Sequence, residues 1–119
     1  MAYTKSYSGG CHCGEVRYET TPDLSKVMSC NCSICSKIGA LWAFVPPEHF
    51  ALRSGEDCLT EYQFNRKTIH HLFCSVCGVE SFVRGTMPDG TEVVGVNVRC
   101  LDGVDIASLN PTPFDGKSL

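Results

Sequence analysis

Short runs rich in β-branched and aromatic residues recur along this chain, and their strand signals are stronger than its helix signals. Glu15 to Thr20 (EVRYET) alternates as a half-buried strand does. Leu41 to Val45 is continuously apolar and predicts a buried strand, stopped by Pro46-Pro47. Leu59 to Phe64 and Ile69 to Phe73 predict two more strands, with Asn65-Arg66-Lys67 as the turn between them. Glu80 to Arg84 and Thr91 to Val98 predict a further pair. Pro88-Asp89-Gly90 marks a turn, because Pro presets φ and Gly supplies positive φ. A single helical turn is expected at Pro47 to Phe50, with Pro at its start. Beyond Asn110 the chain is rich in Pro and Gly and is expected to wrap as an irregular tail. The fold class is mainly β.

Length adds that residues 1–119 suit one domain with one modest core. The ten N-terminal residues have no apolar centre, so no signal peptide is read there and a cytoplasmic location is expected. The longest apolar stretch, around Leu41 to Pro47, falls well short of the ~20 residues of a membrane span, so no membrane partner is expected. Formal net charge is -3, and Arg66-Lys67 is the sole adjacent basic pair. Nucleic-acid binding needs a patch or stripe of Lys and Arg, so no nucleic-acid partner is expected either.

The nine cysteines change the picture most. An odd number cannot all pair within one chain, and a disulfide scaffold normally accompanies secretion, so metal binding is the better reading. Cys11 and Cys13 lie two apart, which in extended chain turns both sulfurs to one side. Cys74-Ser75-Val76-Cys77-Gly78 is the tight C-x-x-C-G turn of zinc knuckles, in which Gly takes a positive φ. Together these two clusters supply four thiolates, the closed tetrahedral set of a structural zinc. Cys30, Cys32 and Cys35 combine both spacings and offer three sulfurs. Three protein ligands leave a position open, as in catalytic zinc, and a sulfur shell favours a soft fourth ligand such as a substrate thiol. Spacing alone leaves a second partition open, in which Cys58, Cys100 or a histidine closes this set. Iron–sulfur ligation is disfavoured because no familiar ferredoxin spacing is present. Redox C-x-x-C chemistry lacks the βαβ surroundings it would need.

These motifs resemble those of the glutathione-dependent formaldehyde-activating family, which includes the centromere protein V group. The matching residues are G-G-C-H-C-G-E-V at Gly9 to Val16, C-x-C-x-x-C at Cys30 to Cys35, and F-C-x-x-C-G at Phe73 to Gly78. Phe50 to Gly55, Leu59 and Tyr62 match the family's connecting segment, and the likeness runs from about residue 7 to 101. The resemblance implies a zinc-stapled β-tent of twisted antiparallel sheets. It implies a structural zinc on Cys11, Cys13, Cys74 and Cys77, and a looser zinc on Cys30, Cys32 and Cys35. That second ion is where the family's enzymes meet glutathione and formaldehyde, in the reversible formation of S-hydroxymethylglutathione, a carbon–sulfur lyase reaction.

The expected chemistry therefore centres on Cys30, Cys32 and Cys35, with a thiol such as glutathione and an aldehyde as small-molecule partners. Four thiolates on one zinc carry excess negative charge, and Ser33, Ser36 and Lys37 are nearby candidate donors. Arg53, Arg66, Lys67, Arg84 and Arg99 are candidates to clamp an anionic tripeptide, though each also reads as a solvated surface charge. His12 points away from its neighbouring cysteines in an extended chain and is not counted as a ligand. His49, His70 and His71 read as surface or core residues, with His70 or His71 the alternative proton carrier. Trp42 and Phe44 read as core packing, with Trp42 a pocket wall if its face meets the second zinc. Cys58 and Cys100 read as buried free thiols. The rival functions are a non-catalytic thiol carrier and an interaction module that keeps the structural zinc alone.

Overall fold

In a computed structural model of the chain, residues 5–63 and 69–118 are described. They form ten strands, one short α-helix and six single-turn 3-10 helices. The strands are β1 (Tyr7–Gly10), β2 (Arg17–Thr20), β3 (Met28–Cys30), β4 (Trp42–Val45), β5 (Phe50–Ser54), β6 (Leu59–Tyr62), β7 (Ile69–Cys74), β8 (Phe82–Thr86), β9 (Glu92–Asn97) and β10 (Thr112–Phe114). The helix α1 covers Cys35–Ile38. The mainly β expectation holds, and the single-turn helix at Pro47–His49 forms where proline predicted it. The expected Asn65–Lys67 turn lies outside the described residues.

Two sheets form, one in the order β1-β2-β5 and one in the order β10-β3-β4-β9-β8-β7-β6. All pairings are antiparallel except β10, which adds parallel to β3. The tail is therefore less irregular than its composition suggested: Thr112 pairs with Met28 and Phe114 with Cys30.

The sheets meet through one face of each. Val16 and Tyr18 at the small sheet pack with Val45, Phe82, Val94 and Val96 of the large one. Tyr18 and Phe82 stack edge to face at 5.8 Å, and Phe50 lies 4.8 Å from Phe82. The buried Tyr18 hydroxyl donates to the Ser81 carbonyl at 2.9 Å, which satisfies the polar tip of an otherwise apolar body.

Because side chains alternate across a strand, the large sheet's other face carries a second set of residues. Phe44, Gly95, Val83, His71 and Tyr62 stand opposite one another in successive strands β4, β9, β8, β7 and β6. Trp42 and Asn97 form the neighbouring pair. Here a smaller cluster of Cys35, Ala40, Trp42 and Val83 gathers, with Cys30, Cys32, Ile34 and Ile69 packed against it. The fold thus has a main core between the sheets and a satellite core under α1. Each carries a cysteine group. Among the described residues no helix is long and apolar enough to cross a membrane.

Candidate metal centres

The first cysteine group joins the two sheets. Cys11 follows β1 directly, and its amide donates to the Val16 carbonyl at 3.1 Å, which closes the loop that presents Cys11 and Cys13. Cys74 ends β7, and Cys77 follows within a turn held by Gly78 N–H to Cys74 O at 2.8 Å. Gly78 has φ +83, the left-handed conformation that the C-x-x-C-G spacing called for. The sulfurs of Cys11, Cys13, Cys74 and Cys77 all lie within 4.8 Å of one another. Cys13 Sγ stands 3.6 Å from both Cys11 Sγ and Cys74 Sγ. A tetrahedron with zinc–sulfur bonds of about 2.3 Å has edges of about 3.8 Å, so this donor set fits zinc.

Amides point at these sulfurs, as thiolates require. Val16 N–H donates to Cys11 Sγ at 3.3 Å, and Val76 N–H donates to Cys74 Sγ at 3.4 Å. The Val79 amide, followed by that of Cys13, lowers the Cys77 thiol from 9.0 to about 6. His12 is exposed and outside the group, in line with its expected orientation.

The second group is Cys30, Cys32 and Cys35, whose sulfurs also lie within 4.8 Å of one another. Cys30 ends β3, Cys32 sits in the following turn, and Cys35 opens α1. Helix opening orients this loop: Ser36 N–H donates to Cys32 O at 2.9 Å, and Gly39 caps the other end in a left-handed conformation. No other His, Cys, Asp or Glu of the described residues joins the group. Cys58 and Cys100 are half-buried instead of fully buried, and both lie toward the first group. Cys58 O accepts from Ser75 N–H at 2.7 Å, and Cys100 is raised to about 11 by burial and by charge at Cys11 and Cys77. Neither closes the second set.

The donors to these three sulfurs differ from the expected ones. Cys32 N–H donates to Cys30 Sγ at 3.4 Å, and Cys35 N–H to Cys32 Sγ at 3.5 Å. Trp42 Nε1–H donates to Cys35 Sγ at 3.4 Å from a ring that is 3% exposed. Ser36 Oγ donates to the Ser33 carbonyl, and Lys37 is exposed. Trp42 faces the cysteine group, as its alternative reading as a wall required. Its indole N–H as a sulfur donor was legible only once the register put it beside Cys35. Burial first, offset in part by Trp42 and raised again by Cys32, takes the Cys35 thiol to about 12.

The tail also reaches this group. Asn31 N–H donates to Phe114 O at 3.2 Å, Asn31 Nδ2–H to Asp115 Oδ1 at 3.0 Å, and Lys117 N–H to Asn31 Oδ1 at 2.9 Å. Gly116 lies so close that a Cβ there would fall 2.6 Å from Cys30 Sγ. Sequence reasoning missed this cover, because nothing in a Pro- and Gly-rich tail says where it docks.

The candidate clamps among the described residues do not converge on the three-cysteine group, and Arg53 and Arg84 line one surface cleft together. Arg53 pairs with Glu19 at 2.6 Å, and Arg84 lies over the Phe50 and Phe82 rings. Arg99 Nε–H donates to the Gly39 carbonyl at 3.0 Å, beside the end of α1. Arg66 and Lys67 lie outside the described residues. His70 pairs with Glu61 at 2.9 Å, His71 is buried against Glu80 at 3.1 Å, and His49 ends the Pro47 turn.

Two cysteine groups on these loops, one of four and one of three, coincide with a match over residues 6–113 to the family model described as glutathione-dependent formaldehyde-activating enzyme. The chain belongs to this family. A function related to glutathione and formaldehyde follows at the family's level. A crystal structure of a Rhodobacter sphaeroides protein is 33% identical, with a TM-score of 0.79 over 89% of this chain and 97% of that one. The family match stops at residue 113, so Gly116 and the contacts around it fall outside it.

Proposed function

We propose that this family member is a zinc-dependent carbon–sulfur lyase or synthase acting on a thiol–aldehyde adduct such as S-hydroxymethylglutathione. The observation that carries this reading is a group of three sulfurs with no fourth protein ligand among the described residues, backed by a buried indole N–H. Cys30, Cys32 and Cys35 would hold the ion, and Cys11, Cys13, Cys74 and Cys77 a structural one. Zinc supplies a positive centre that keeps a thiol deprotonated at neutral pH.

This chain's residues do the rest. Trp42 and the amides of Cys32 and Cys35 offset the negative charge of the sulfurs, and the satellite core shields them from water. In the forward direction the substrate sulfur gives its electron pair to the carbonyl carbon. A C–S bond forms, the C=O π bond opens, and the oxygen takes a proton from solvent. In reverse the hydroxyl loses its proton, the C–S bond breaks, and aldehyde and thiolate separate.

The test is formaldehyde release from S-hydroxymethylglutathione by the zinc-loaded protein, measured against the spontaneous rate. Release above background that Cys32→Ser abolishes supports the lyase. Glutathione binding without acceleration makes the protein a thiol carrier, and neither leaves an interaction module.

A further inference from the structure

A cleft of about 510 Å³ lies between α1 and the segment that follows Cys77. Ile34 and Ile38 form one wall, and Phe73, Val79 and Tyr62 supply most of the remainder. Glu80 and Asn97 are the polar members. Two lining residues, Ile34 and Asn97, connect the cleft to the three-cysteine group, while Phe73 and Gly78 stand next to Cys74 and Cys77. Ile34 immediately precedes Cys35 and packs in the same satellite core. Asn97 stands opposite Trp42 in the sheet, and Trp42 donates to Cys35 Sγ.

Size and chemistry both bear on the occupant. Formaldehyde has a single carbon and is little larger than a water molecule, which takes up about 30 Å³. This volume is that of a pocket for an organic ligand. The wall is mostly apolar, and the large side chains Ile38 and Tyr62 at its edge are 42% and 50% exposed. Its polar groups are already engaged: Glu80 Oε2 meets His71 Nδ1 at 3.1 Å, and Asn97 Nδ2–H donates to Glu80 O at 3.1 Å. No cation among the described residues lines the cleft, and Glu80 brings a carboxylate. Such a wall offers the carboxylates of glutathione no cation and receives uncharged hydrocarbon.

We propose that this cleft holds the apolar substituent of the aldehyde, so that the three-cysteine centre serves adducts of uncharged aldehydes larger than formaldehyde. The inference rests on the reading of that centre as the reacting site. It adds that Ile34, Ile38 and Val79 set which aldehyde is taken.

Two measurements test it on the reduced, zinc-loaded protein. The first titrates 1-hexanol, an unreactive stand-in for a six-carbon aldehyde, and follows backbone amide shifts by NMR. Saturable shifts are expected at Ile34, Ile38 and Val79 and are lost in Ile38→Asp, whose zinc content checks that it has folded. Shifts that are absent, or spread elsewhere over the surface, overturn the proposal whatever the enzyme does. The second compares hexanal with formaldehyde as partners of one thiol. Preference for hexanal is expected to fall roughly tenfold in Ile38→Asp, mainly through KM. An unchanged preference overturns the cleft and leaves the lyase reading intact. No turnover with either aldehyde removes the lyase reading, and with it the assignment of the cleft to an aldehyde, even where hexanol binds.

Discussion

The Trp42 indole donates to the Cys35 sulfur at 3.4 Å, across the boundary between the large sheet and α1. Both residues are almost fully buried, so the bond forms where water cannot replace it. Trp42 is also the single tryptophan of the chain. Substituting Trp42→Phe keeps most of the packing and removes the donor. Loss of such an outer contact is expected to weaken metal binding at the three-cysteine group by about tenfold, with the four-cysteine group unaffected. Competition with a chelator, read as two separate release steps, checks this.

The two cysteine groups have different structural duties. The first brings Cys11 and Cys13, in the loop between β1 and β2, against Cys74 at the end of β7 and Cys77 in the turn after it. The second lies within one loop and the satellite core. Cys74→Ser is therefore expected to lower the thermal midpoint sharply, because lost metal-binding energy there is lost folding energy. Cys32→Ser is expected to remove one metal with a much smaller change. Melting curves with parallel metal analysis distinguish the two.

Gly116 tests the docked tail. A valine there has no room beside Cys30 Sγ, so Gly116→Val is expected to release the segment from Asn31. Trypsin would then cut at Lys117 several-fold faster, and the metal of the three-cysteine group would exchange faster. Equal cleavage of the two proteins would show that the tail does not cover the group.

Cys100 predicts a pH dependence. Burial first, then the charge of Cys11, raises its thiol from 9.0 to about 11, so the folded protein favours the neutral form. The sign follows: the contribution to stability is full below about pH 9 and is lost as pH rises toward about 11. Cys100→Ala is expected to flatten that part of the profile. Denaturant midpoints for both proteins between these limits measure it.

Much of the site was legible because cysteine spacing constrains geometry so tightly. C-x-C and C-x-x-C-G each dictate where two sulfurs point, and the structure gathers the seven named cysteines into the two named groups. The strong strands were legible for a similar reason: β2 and β4 carry alternating or continuous apolar runs, and β7 and β9 are rich in aliphatic and aromatic residues. What escaped was set by neighbours instead of by local pattern. The strand β1 is half glycine, and β3 and β10 have three residues each, too few for any period. Helix α1 is a single turn whose sequence, Cys-Ser-Lys-Ile, has no apolar stripe. Ser33 and Ser36 were reasonable donors by proximity in sequence, but Ser36 Oγ donates to the Ser33 carbonyl within its own turn, and the indole from β4 donates to Cys35 Sγ.

The central claim is that Cys30, Cys32 and Cys35 form a second, open metal site. Zinc per chain, measured by elemental analysis on reduced protein with and without Cys35→Ser, tests it most directly, with cobalt in place of zinc to report on thiol binding. The account predicts two ions per chain, one after the substitution, and a change in the cobalt spectrum when glutathione is added to the unsubstituted protein. A single ion that neither Cys35→Ser nor any thiol disturbs would contradict it.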